Sequence, residues 1–200
     1  RGICHVFADT HCLPPTLLAD EMAVVSQLLD AESAKYPRPA LQWVYDLLKM
    51  AAGLLPASGK RPTSGVPKAL VVSGGAGSIG PVEIERFRPL LQEALASFAG
   101  TVVSGGTAVG IPGCVGDITA ALRADGTCGY RLLGHAPRLR PESAPLHPAY
   151  EARPSGESQF SIEQALQGWR DLFAAGTLPH EILCLGFGGG RISALEYRVA

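Results

Sequence analysis

Three times along this chain a short apolar run ends in a cluster of glycines and gives way to a helix-like stretch. The first is Lys68-Ala-Leu-Val-Val-Ser73, which ends at Gly74-Gly75-Ala76-Gly77. The second is Thr101-Val-Val-Ser104, which ends at Gly105-Gly106. The last is Glu181-Ile-Leu-Cys-Leu185, which ends in Gly186-Phe-Gly-Gly-Gly190. Runs this short, without polar alternation, suit strands covered on both faces, the condition of a parallel sheet with helices on either side. Strand–helix–strand units put every strand-to-helix turn at one edge of such a sheet, the carboxyl edge. The pattern therefore constrains fold and site together: an α/β, Rossmann-like domain with helices on both faces of a parallel sheet and glycine turns that converge. Glycine lets backbone approach a ligand closely. The helix that follows presents unpaired N–H groups and the positive end of its dipole, which suit phosphate.

The remaining elements follow from periodicity and punctuation. Helices are expected at about 81–98, 113–123 and 161–175, with Glu83 and Glu85 in the opening turns of the first and Ser161 capping the last. A further strand is expected at 129–133, and residues 136–158, which contain five prolines, read as a mobile loop. Upstream the texture differs, since residues 1–52 hold one of the 24 glycines. Residues 3–7 suit a short strand. Helices are expected at about 14–34 and 40–55, the second burying a stripe of Leu41, Val44, Tyr45, Leu48, Ala52 and Leu55. A Pro/Ser/Gly-rich linker ends at Gly65. The chain thus divides into a helical N-terminal region with its linker, 1–65, and an α/β domain, 66–200. It starts without Met and stops just inside a new helix, so it is expected to be a piece of a longer protein, truncated at its C-terminal end.

Composition narrows the function. A net charge of −1 argues against a nucleic-acid partner. No apolar stretch reaches the roughly 18 residues of a membrane span. The five cysteines are scattered and odd in number, which fits a reduced, cytoplasmic protein rather than a disulfide framework. Gly75, Gly77 and Gly80 have the spacing of a dinucleotide fingerprint, but the next strand ends in Ser104-Gly105-Gly106 and lacks its acidic residue. No P-loop pattern is present. Cys4, His5, Asp9, His11 and Cys12 are ligand types without the paired spacing of a zinc site, so no metal is expected. His135, His147 and His180 are isolated and read as structural or solvated. Trp43 and Trp169 read as packing residues and Cys114 as a small residue at a helix start. Arg138, Arg140 and Arg153 read as part of a solvated loop.

The glycine turns carry a family resemblance. Thr101-Val-Val-Ser-Gly-Gly-Thr-Ala-Val-Gly-Ile-Pro-Gly-Cys-Val-Gly116 resembles the second strand and Gly-Gly-Gly-x-x-Gly-Leu-Met-Gly turn of Lonely Guy and lysine decarboxylase-like proteins. Gly189-Gly-Arg-Ile-Ser-Ala-Leu-Glu196 resembles their Gly-Gly-x-Gly-Thr-x-x-Glu motif, and Val71-Val-Ser-Gly-Gly75 their opening strand. In order and spacing residues 68–200 resemble the SLOG superfamily. They are most similar to its LSDAT branch, relatives of the cytosolic sensor region of melastatin-type TRP channels. The resemblance implies a domain that binds nucleotides or nucleotide-derived ligands. By position, Gly105, Gly106 and Thr107, with Gly110 and Gly113, would line a phosphate or ribose pocket. Gly189, Gly190 and Ser193 would cradle a phosphate, Glu196 would accept from ribose hydroxyls, and Gly74, Gly75 and Ser78 would complete the floor. The sequence departs from the pattern at Pro112, Ile192 and Ser193. The Arg that the family's enzymes take from the preceding helix has no motif-supported match, although Arg170 lies there.

The resemblance implies a regulatory binding module for ADP-ribose, NAD or a related messenger, reporting to an effector domain on the same or a partner chain, with no separate cofactor. An N-glycosidic hydrolase, a phosphoribohydrolase or NAD glycohydrolase using Glu196, is the alternative. A structural or oligomerisation role for the N-terminal helices is a third, and a homo-oligomer is compatible with each.

Overall fold

Alternation within the apolar runs decides which helices cover which face of the sheet. The protein is described here by a computed structural model, which covers residues 38–54, 66–75, 79–155 and 160–200. The expected strand at 3–7, the helix at 14–34, the linker, the Cys4–Cys12 set and Ser78 lie outside the described residues. In chain order the elements are α1 (Arg38–Leu54), β1 (Ala69–Gly74), α2 (Pro81–Ala96), β2 (Gly100–Ser104), α3 (Gly110–Ala124), β3 (Tyr130–Ala136), β4 (Glu151–Pro154), α4 (Ile162–Ala174), a 3-10 turn (Pro179–Glu181), β5 (Ile182–Phe187) and α5 (Arg191–Val199). The strands form one sheet in the order β4-β3-β2-β1-β5, and every pairing is parallel. This is the expected Rossmann-like architecture.

Both faces are dry. Leu70, Val72, Val102 and Leu132 point to the face covered by α2 and α3, where they meet Leu91, Leu95, Ile111, Val115 and Ile118. Ala69, Val71, Val103 and Leu133 point the other way, against Val44 and Leu47 of α1, Leu166 and Trp169 of α4, and Leu195 of α5. Each such aliphatic side chain, fully buried, contributes about 1.5–3 kcal/mol. Two layers of them explain why a chain poor in aromatics closes a core. α1 falls where a helix was expected, but its stripe is rotated. Val44 and Leu47 are buried, whereas Tyr45 is exposed beside Lys49, whose Nζ lies 5.6 Å from the ring centroid.

The segment expected as a mobile loop contains β4. Strand β3 runs on to Ala136, three residues past the expected end, and Leu133 to Ala136 pair in parallel with Glu151 to Pro154. An edge strand needs hydrogen bonds on one side only, so Glu151, Arg153 and Pro154 are tolerated there despite poor strand propensity. The stretch before β4 is tied down over the second glycine turn. The Ala108 N–H donates to the Pro145 carbonyl at 2.8 Å and the His147 N–H to the Gly106 carbonyl at 3.1 Å. The Tyr150 hydroxyl donates to the Pro112 carbonyl at 2.7 Å. No helix among the described residues is long and apolar enough to cross a membrane.

Candidate functional site

The sheet order places the site. β1 and β5 are neighbours, yet the chain leaves β1 for α2 on one face and leaves β5 for α5 on the other. The connections that follow their carboxyl ends therefore diverge and open a crevice, the place where parallel α/β sheets bind ligands. A cavity of about 540 Å³ occupies it, on the side of α4 and α5. Its size lies in the range of small-molecule sites.

Of the residues expected to line a ligand pocket, Gly74, Gly75, Gly105, Thr107, Gly190, Ser193 and Glu196 stand in the cavity wall. Gly106 and Gly189 belong to the same turns, and Gly110 and Gly113 to the first turn of α3, but all four lie outside the wall. Gly189 shapes it from behind. Its φ is +106°, and a β-carbon there would strike the Ser193 side chain, so glycine sets how closely the turn folds onto the start of α5. The first N–H groups of that helix have no partner within it, and Gly190, Arg191 and Ile192 border the cavity at that point. Backbone donors and the positive end of the helix dipole thus meet one end of the crevice, with Arg191 at its border.

Glu196, one turn further along α5, is buried and bound on both oxygens. The Ser73 hydroxyl donates to Oε2, and the Trp169 indole N–H donates to Oε1 at 2.9 Å. Burial pushes its carboxyl above the usual carboxylate range, and the two hydrogen bonds only partly oppose this. A carboxylate has about four acceptor positions, so two remain for ligand hydroxyls. Burial, and secondarily the charge of Glu196, also push the nearby Cys184 thiol up to about 12. The Tyr197 hydroxyl donates to the Gly188 carbonyl at 2.7 Å and the Ser73 carbonyl at 3.2 Å, which locks the last glycine turn to the end of β1.

On the opposite side, α4 closes the cavity with its first turn. The Ser161 N–H donates to Gln164 Oε1 at 2.7 Å, and Gln164 Nε2 donates to the Ser155 carbonyl at 3.2 Å. These bonds hold Phe160, Ser161, Gln164 and Ala165 against the opening. No family model and no curated protein matches the chain. What the site can do is therefore read from its own chemistry.

Several wall residues have no counterpart among the expected ligand-binding set. Ser73 is the last inward residue of β1, on the face of Ala69 and Val71. Arg191 stands inside the quoted glycine motif but belongs to none of its constant positions. Trp169 packs as expected, 6.4 Å from Phe173 between ring centroids, and also orients Glu196. His135, read as isolated, lines the cavity and is 4% exposed. Arg170 is turned away, its guanidinium 4.3 Å from the Trp43 ring centroid. Arg153 pairs with Asp171 at 2.7 Å, and Arg138 and Arg140 are exposed outside the wall. Burial raises the Cys114 thiol, with Arg88 opposing.

Proposed function

We propose that this chain is a binding domain of SLOG type for a nucleotide-derived ligand, of the class of ADP-ribose, NAD or a related messenger. It would serve as the sensing part of a larger assembly. The observation that carries this reading is the switch-point cavity. Its wall joins two features that a nucleotide needs: a helix start with Arg191 for phosphate, and a buried acidic acceptor, Glu196, for ribose hydroxyls. The three glycine turns and the carried-over motif residues support the same assignment.

Calorimetric titration of the chain with ADP-ribose, NAD, AMP and cyclic dinucleotides tests it. At least one is expected to bind, and Arg191→Ala is expected to weaken that ligand about tenfold, the usual scale for losing one charge-assisted contact to phosphate. Absence of heat and of any melting shift with all four ligand types would overturn the reading.

N-glycosidic hydrolysis is a second reading, favoured by the presence of two titratable groups, Glu196 and His135, in one cavity wall. Against it, Glu196 has both oxygens engaged by Ser73 and Trp169, which suits a fixed acceptor better than a mobile acid or base. Chromatography for free base after incubation with nucleoside monophosphates or NAD separates the two readings.

A further inference from the structure

Two buried polar side chains in the cavity wall have no hydrogen-bond partner among the protein's described groups. Both ring nitrogens of His135 and the Thr107 hydroxyl are in this state, and Thr107 is fully buried. Such groups cost stability unless something satisfies them. The nearest polar neighbour of His135 is Asp171, with Oδ2 3.5 Å from Nε2. That contact is longer than a hydrogen bond, and the carboxylate is held by Arg153 at 2.7 Å on Oδ2 and by Gln167 Nε2 at 2.7 Å on Oδ1. Cδ2 of the imidazole faces Gly168 on the same helix. The ring edge bearing Nε2 is thus turned to α4, and Nδ1 is on the other side of the ring.

Thr107 and His135 belong together by construction. They follow Gly106 and Gly134, whose backbones touch so closely that a β-carbon on Gly134 would lie 2.5 Å from the Gly106 Cα. The wall also carries apolar Val103, Pro112, Phe160 and Ala165, beside the neutral polar groups Ser104, Ser161 and Gln164. A flat, uncharged ring with polar atoms on its edge fits these surroundings, and a phosphate does not. Burial also disfavours the imidazolium.

The positions along the sheet edge supply the remaining constraint. His135 is on β3, Ser73, which binds Glu196 of α5, is on β1, and the start of α5 follows β5. With β2 between β3 and β1, that is three strand spacings, about 14 Å from end to end. The chemistry along this line runs from an uncharged slot with two orphan hydrogen-bonding groups, through a hydroxyl acceptor, to an anion site.

We propose that His135 and Thr107 form the base-recognition subsite of this cavity. They hydrogen-bond the polar edge of a heterocyclic base whose ribose lies at Glu196 and whose phosphate lies at α5. The assignment rests on the binding reading above and adds the orientation of the ligand and the residues that read its base.

The test compares the mononucleotides AMP, GMP, CMP and UMP with ribose 5-phosphate, by calorimetry on the full 200-residue chain. At least one mononucleotide is expected to bind tenfold or more tighter than ribose 5-phosphate. His135→Leu and, separately, Thr107→Val are each expected to weaken that mononucleotide about tenfold, equivalent to about 1.4 kcal/mol, and to leave ribose 5-phosphate unchanged. In the unsubstituted chain labelled with ¹⁵N-histidine, the His135 ring resonances are expected to move with the mononucleotide and not with ribose 5-phosphate. This measurement does not depend on how the variants fold. A mononucleotide that binds with no preference over ribose 5-phosphate overturns the assignment and leaves the binding reading intact. So does one that binds both variants as tightly as the original chain without moving the ring resonances. If neither mononucleotides, ribose 5-phosphate, ADP-ribose nor NAD bind, the binding reading falls and this subsite with it.

Discussion

Replacing Glu196 by glutamine is expected to make the protein more stable at neutral pH and a worse binder. The side chain is 5% exposed, and burial holds its carboxyl above the ordinary value of 4.5. An acid raised in the folded state binds more protons folded than unfolded. Its contribution is therefore most favourable below about pH 4.5 and is lost as pH rises through the folded value. Above that value the native protein carries a buried carboxylate with two neutral donors, Ser73 and Trp169, among the described residues. Glutamine keeps the shape and the bonds: its carbonyl accepts from the Trp169 indole, and its amide donates to the Ser73 oxygen. It carries no charge to bury.

The gain from Glu196→Gln should be about 1–3 kcal/mol at pH 7.5, or roughly 3–10 °C in melting temperature for a chain of this size. It should shrink to nothing toward pH 4. Thermal melts of both proteins across that range check the sign. A gain independent of pH would show that burial of the charge is not its source. In the same variant, the ligand found by calorimetry should bind more than tenfold weaker, because an amide accepts at one oxygen where a carboxylate accepts at two. A substitution that stabilises the fold and damages binding identifies a residue retained for a ligand.

Much of this organisation is legible in the sequence because the fold repeats one simple unit. The apolar runs at 69–73, 101–104 and 181–185 need two covered faces, and glycine clusters at their ends mark the edge where turns converge. Glu196 is legible through its motif. Three features are not, each for a physical reason. β4 has no strand signature of its own: Glu151-Ala-Arg-Pro154 becomes a strand because β3 leaves an unpaired edge beside it. The α1 stripe misplaces Tyr45, because helical periodicity allows a face to turn by a residue and only packing against α4 fixes it. His135 looks isolated because β3 was expected to stop at Leu133. Carried two residues further, the same alternation that sets Leu133 toward α4 sets His135 there as well. Ser73 follows the same rule from Ala69 and Val71. Period-two bookkeeping pursued to the last residue of each strand would have found both. The pairing of Trp169 with Glu196 spans 27 residues between two helices, and no local pattern encodes it.

Gly134→Ala is expected to be strongly destabilising. Gly134 pairs with Ser104 at the carboxyl end of β3. A β-carbon there would lie 2.5 Å from the Gly106 Cα and 2.7 Å from Tyr150 Cδ1. Neither neighbour yields easily. Gly106 is backbone, at a φ of +76°, and its carbonyl is held by His147. Tyr150 is buried and anchored by its hydroxyl to Pro112 at 2.7 Å. The strands must part just where the second glycine turn begins, so the cost should reach about 3 kcal/mol, the upper part of the overpacking range. In melting temperature that is a loss of roughly 6–12 °C. Gly53→Ala supplies the contrast. Gly53 is exposed within α1, and a β-carbon there would meet nothing within 4 Å. The same added methyl should there stabilise by about 1 kcal/mol, because alanine has the higher helix propensity. Melting curves of the two variants should shift in opposite directions. Equal and small shifts would mean that the β2–β3 edge can open at little cost, and that the close approach of Gly106 and Gly134 does not fix the placement of Thr107 and His135.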